Sequence, residues 1–107
     1  MSTTPGGLTV DLVTEPTGIT ITVAGELDFV TADALVERAR TELVGGEGPV
    51  TIDAGQLTFC DSAGISALVQ LRKLAEQRGR TLRVVHAQES VWRVLDYSGL
   101  REYLNVE

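Results

Sequence analysis

The hydrophobic period of this chain changes part-way along it, and that change leaves few architectures open. Leu8, Val10 and Leu12, then Ile19, Ile21 and Val23, recur at every second residue, with Thr20 and Thr22 between the last three. A period of two belongs to a strand with one buried face. Between the two runs, Glu15-Pro16-Thr17-Gly18 puts proline where its fixed φ suits a turn and glycine at the exit, so the strands form an antiparallel hairpin. From Ala32 the period lengthens. Ala32, Leu35, Val36, Ala39 and Leu43 follow helical spacing, with Asp33, Glu37, Arg38, Arg40 and Glu42 off the stripe, and Gly45, Gly46, Gly48 and Pro49 end it.

Strand and helix then alternate. Val50 to Asp53 reads as a short strand, Ser62 to Gln77 as a helix ending near Gly79, and Leu82 to Val85 as another strand. A last helix runs from about Glu89 to Tyr97 and closes at Gly99, followed by a short final element from Leu100 to Val106. A hairpin followed by such alternation requires parallel pairing through right-handed crossovers. Thr20, Thr22, Thr51, Asp53 and Arg83 interrupt the apolar positions, whereas strands covered on both faces are almost continuously apolar. The predicted fold is therefore α/β in element order and two-layered, α+β-like: a mixed sheet with an N-terminal hairpin and helices mainly on one face. Residues 1–107 form one domain, with 1–7 as a flexible lead-in.

Composition narrows the partners. The chain of 107 residues has 9 Lys and Arg against 15 Asp and Glu, a net charge of −6, which disfavours binding to nucleic acid. No run approaches the ~20 apolar residues of a membrane span, and the first residues lack a signal-peptide pattern, so the expected location is cytoplasmic. The lone Cys60 makes no intrachain disulfide and no cysteine-based metal site; a small buried hydrophobe is the expected role, ahead of a redox sensor. His86 is the single histidine, closes a strand and reads as an ordinary strand-end residue. With no nucleophile elbow and no phosphate loop, neither a catalytic residue nor a cofactor nor a metal is expected.

The segment Leu57-Thr58-Phe59-Cys60-Asp61-Ser62-Ala63-Gly64 joins a strand to a helix. Serine is a good N-cap, so one reading makes Ser62 a structural cap; the other makes it a functional hydroxyl. The small Ala63 and Gly64 leave it accessible, and glycine in a first turn costs ~1 kcal/mol relative to alanine, which points to a reason beyond helix stability. Asp28 and Asp61 read as carboxylates satisfying free N–H groups at helix starts, or as parts of a partner surface, rather than as a Mg²⁺ site. Aromatic spacing predicts Trp92 and Phe29 to be core. The broad apolar surface of the 62–77 helix leaves Val69 or Leu71 as a candidate partner contact.

Asp61-Ser62-Ala63-Gly64, preceded by Leu57-Thr58-Phe59 and followed by an apolar helix, resembles the phosphorylation motif of bacterial anti-sigma factor antagonists of the STAS domain family. Gly25-Glu26-Leu27-Asp28 resembles the family's other signature, and the element order matches from about Leu8 to Val106. The resemblance implies a STAS-like fold and a switch protein. Unphosphorylated, it binds an anti-sigma factor and releases a sigma factor; the anti-sigma factor is often an ATP-dependent serine kinase, and a PP2C-type phosphatase reverses the modification. By matching position, Ser62 is the phosphoacceptor, with Asp28, Asp61, Ala63 and Gly64 in the partner-binding set. Ala63 departs from the commoner serine or threonine, leaving one hydroxyl in the motif. The family also contains non-phosphorylated scaffolds and transporter-associated subunits, in which Ser62 would be only a helix N-cap.

Overall fold

The computed structural model describes residues 2–4 and 7–107. Its order is β1 (Ser2–Thr4), β2 (Leu8–Glu15), β3 (Gly18–Leu27), α1 (Ala32–Gly45), β4 (Val50–Cys60), α2 (Ser62–Glu76), β5 (Leu82–Val85) and α3 (Glu89–Tyr97). The five strands lie side by side in chain order, antiparallel from β1 to β3 and parallel from β3 to β5. Of the lead-in expected over 1–7, Met1, Pro5 and Gly6 lie outside the described residues; the backbone of Ser2–Thr4 pairs with β2, Ser2 opposite Val10.

The alternation decides which face is covered. Val10, Ile21, Val23, Val50, Ile52, Leu82 and Val84 are buried and share one core with Leu35, Ala39 and Leu43 of α1 and Leu68, Leu71 and Ala75 of α2. On the opposite face Thr20, Thr51, Asp53 and Arg83 line an open polar groove with His86 and Glu107. There His86 Nδ1 lies 3.3 Å from Asp53 Oδ1, and Arg83 reaches Glu107 at 3.3 Å. The helices thus lie mainly on one face, as the interrupted strands require.

The third predicted strand is longer than its alternation indicates. Its inward residues are Ile52, Ala54, Leu57 and Cys60, because β4 gains one residue on β3 at each of two register shifts. Each shift is a β-bulge, which moves the buried set on by one and erases the period of two. Asp53 Oδ1 supports the first by accepting the Gly55 N–H at 3.0 Å, and Gln88 Nε2 donates to the Gly55 carbonyl at 2.9 Å.

Arg80 is a buried cation that the sequence pattern did not single out. Its guanidinium donates to the carbonyls of Glu42 (2.8 Å), Leu43 (3.0 Å) and Gly48 (2.7 Å), closing the C-terminus of α1 where carbonyls lack helical partners and the dipole is negative. Burial lowers its pKa, opposed in part by Glu47. The final element is a set of turns that buries Leu104 and pairs Val106 with Val84 at the β5 edge. Trp92 is half-buried rather than core: Val91 and Leu95 point inward from α3, and Arg101 covers the indole at 5.3 Å. Leu71 is fully buried and Val69 half-buried, which removes Leu71 as a partner contact.

Candidate functional site

The two short motifs, remote in sequence, meet where β3 and β4 leave the same end of the sheet. Parallel pairing sets Leu27 beside Cys60, and the Asp61 N–H donates to the Leu27 carbonyl at 3.2 Å. After Leu27 the chain turns through Asp28-Phe29-Val30-Thr31 into α1. Asp28 Oδ1 accepts the N–H groups of Val30 (3.0 Å) and Thr31 (3.2 Å). The Thr31 hydroxyl, fully buried, accepts the Asp28 N–H and donates to the Glu26 carbonyl, each at 2.9 Å. Thr31 was not a candidate in the sequence reading; the Asp-x-x-Thr spacing before an apolar run was the signal for it.

At the start of α2 the cap is Asp61, a correction to the reading of Ser62 as N-cap. Asp61 has the extended backbone of a capping residue, and its Oδ1 accepts the Gly64 N–H at 2.9 Å. Ser62 is already the first helical residue, so its oxygen lies past the position from which a side chain reaches back to the first-turn donors. Its hydroxyl is exposed and has no hydrogen-bond partner among the described residues. The other Asp61 oxygen, Oδ2, accepts the Phe29 N–H at 3.3 Å, so one carboxylate ties the two motifs together. Asp28 and Asp61 both spend oxygens on backbone amides, which is chemistry for shaping two turns and leaves a poor ligand set for a divalent ion.

Gly64 is explained by close approach. A Cβ there would lie 2.9 Å from Cys60 Sγ and closer still to the Leu27 carbonyl oxygen. Glycine thus lets the first turn of α2 sit against the end of β3. Cys60 packs beneath it, and its thiol is pushed from the ordinary 9.0 up to about 12, by burial first and by the Asp61 charge second. A buried thiol with so high a pKa is an inert hydrophobe, the role expected of it.

Phe29 corrects a second expectation. Its ring is 77% exposed, because the turn that satisfies the Phe29 N–H points the side chain away from the core. It borders a groove of about 330 Å³ between α1 and α2, shared with Ala32, Asp33, Ala63, Ser66 and Ala67.

Fold and site together define a class of protein: a two-layer mixed-sheet domain that presents one serine on an N-terminal helical turn already capped by its neighbour. The chain belongs to the STAS family, whose family model, described as "Mlab, STAS domain", matches residues 10–106. The anti-sigma-B factor antagonist of Staphylococcus epidermidis is 25% identical over 99 residues, 92% of each chain. An anti-sigma factor antagonist from Mycobacterium paratuberculosis has the same fold, with a TM-score of 0.77 and 26% identity over 98% of this chain and 89% of that one. Unphosphorylated SpoIIAA, also an anti-sigma factor antagonist, matches with a TM-score of 0.73 at 24% identity, over 94% of this chain and 87% of its own. The fold also occurs within the murine anion transporter Slc26a9, where 82% of this chain matches 16% of the transporter with a TM-score of 0.70 and 21% identity. Among the described residues, no helix of this chain is long and apolar enough to cross a membrane.

Proposed function

We propose that this chain is a cytoplasmic anti-sigma factor antagonist, a binding module rather than an enzyme, switched by phosphorylation at Ser62. Unphosphorylated, it occupies an anti-sigma factor and so releases a sigma factor; a serine kinase, the anti-sigma factor itself, modifies Ser62, and a PP2C-type phosphatase restores it. The observation that carries this reading is the division of labour at α2: Asp61 caps the helix, which leaves the Ser62 hydroxyl exposed and without a structural task. Ser62 and Ala63 supply the contact surface, while Asp28, Asp61 and the buried Gly64 shape it.

Phosphorylation adds about −1.5 to −2 charges at neutral pH, beside Asp61 and on a chain already at −6. The N-terminus of α2 tolerates that charge, so the domain keeps its fold. A partner packed tightly over Ser62 must instead strip water from the phosphate and meet its bulk. A loss of about 3 kcal/mol, a hundredfold in affinity, is enough to switch.

The test is a pull-down from host lysate with and without Mg-ATP, followed by phosphosite mass spectrometry. Recovery of an anti-sigma factor kinase, released as phosphate accumulates on Ser62, is the expected result, and Ser62→Ala should bind but resist release. The likeness to part of Slc26a9 favours a second reading, a scaffold or transporter-associated subunit. Recovery of transport proteins, with Ser62 unmodified and ATP without effect, would replace the first reading by the second.

A further inference from the structure

Five large apolar side chains stand exposed among the described residues: Val13, Phe29, Val30, Phe59 and Tyr97. Three of them, Phe29, Val30 and Phe59, border the Ser62 end of the sheet: two are in the turn after β3, and Phe59 is opposite Glu26 on β4. Phe59, one residue before the inward Cys60, shares the open sheet face with Glu26, whereas Phe29 lines the groove between α1 and α2 beside Ala63. A large ring left exposed at the edge of a groove next to the serine marks an interaction surface. The charges around them are one-sided. Residues 26–37 and 53–71, which build this end, contain no Lys or Arg at all, whereas Glu26 and Asp33 are exposed there.

We infer that Phe29 is the anchor by which this chain grips the anti-sigma factor, inserting its ring into an apolar socket whose rim carries Lys and Arg. The inference rests on the functional reading above and names the part of the surface that supplies affinity, as distinct from the serine that switches it. The Phe29 amide is held by Asp61 Oδ2, so the anchor and the switch serine share one carboxylate and keep a fixed spacing. The groove beside it, floored by Ala63 and Ala67, receives the flank of the socket. A second copy of this chain is the wrong occupant, because it would set Glu26 and Asp33 against their own kind with no cation from either site segment. The acid rim steers the approach of a basic partner, and Ser62 lies within the packed centre, where a phosphate is desolvated without compensation.

The experiment is calorimetric titration of the purified anti-sigma factor kinase recovered above into wild type, Phe29→Ala, Phe29→Leu and Tyr97→Ala. Phe29→Ala should weaken binding about thirtyfold or more at an unchanged melting temperature, the loss typical of a buried aromatic anchor. Phe29→Leu should recover most of it, Tyr97→Ala, at the remote end of α3, should bind like wild type, and the affinity of the wild type should fall with added salt. Binding by Phe29→Ala within about threefold of wild type, or an equal loss in Tyr97→Ala, overturns the inference and leaves the functional reading standing. A wild-type dimer dissociated by Phe29→Ala in light scattering assigns the face to a second copy and also overturns it. Failure of the wild-type chain to recover any anti-sigma factor overturns the functional reading and the inference with it.

Discussion

The starts of α1 and α2 are built from the same two ingredients, an aspartate and a hydroxyl, and use them differently. At α1 the hydroxyl follows the aspartate by three residues: Thr31 is buried, and its oxygen bridges the Asp28 N–H and the Glu26 carbonyl. At α2 it follows by one: Asp61 takes the Gly64 and Phe29 amides, and Ser62 is left facing solvent. Position relative to the first helical residue, not residue type, separates a structural hydroxyl from one available for modification.

The contrast predicts a graded set of stabilities. Gly64→Ala should have the largest effect, a loss of about 3 kcal/mol, since the new methyl meets the Leu27 carbonyl and Cys60 Sγ and backbone cannot yield cheaply; chemical denaturation would read it. Thr31→Val should cost about 2 kcal/mol by the same measurement, because it leaves the Glu26 carbonyl and Asp28 N–H without their buried partner. Asp61→Ala should cost about 1 kcal/mol through loss of the cap, and Asp61→Asn should recover only part of it, because its single oxygen can keep the Gly64 N–H while its NH2 group cannot accept the Phe29 N–H. Ser62→Ala should fall within about 0.5 kcal/mol of wild type. Equal losses in Thr31→Val and Ser62→Ala would break the comparison.

Cys60 extends the grading to pH. Its folded pKa, about 12, lies above the ordinary value of 9.0, so between these the folded state holds a proton that the unfolded state has lost. Its contribution to stability is full below pH 9.0 and declines as pH rises towards 12. Cys60→Ser should flatten that alkaline slope in denaturation curves measured across the range, and in the native protein at pH 8 the thiol should resist an aromatic disulfide reagent until denaturant is added.

Much of this molecule was legible because its signals are local. The hairpin and all three helices follow from periods, a proline-containing turn and helix-ending glycines, each encoded within a few residues, and parallel pairing follows from the alternation of strand and helix. The half of β4 beyond Asp53 was not legible, because each bulge shifts the buried parity and Ile52, Ala54, Leu57 and Cys60 share no single period. The candidate site divides the same way. Ser62, Asp61 and Gly64 are visible as a strand-to-helix connection, whereas the exposure of Phe29 depends on a turn tied to a residue on another element.

By itself the sequence determined the hairpin, the three helices and the short strands around 50–53 and 82–85, which sheet face is polar, and that the chain is acidic with a serine at the start of its second helix. These follow from nearest-neighbour sterics, hydrophobic period and formal charge, all carried by adjacent residues. Only the tertiary structure decided that Asp61 also holds the Phe29 amide, that Gly64 answers to the backbone of β3, and that Phe29 faces solvent. Each of these depends on atoms brought together by parallel pairing of β3 with β4, and no local pattern records which remote partner will occupy a hydrogen bond or fill a space.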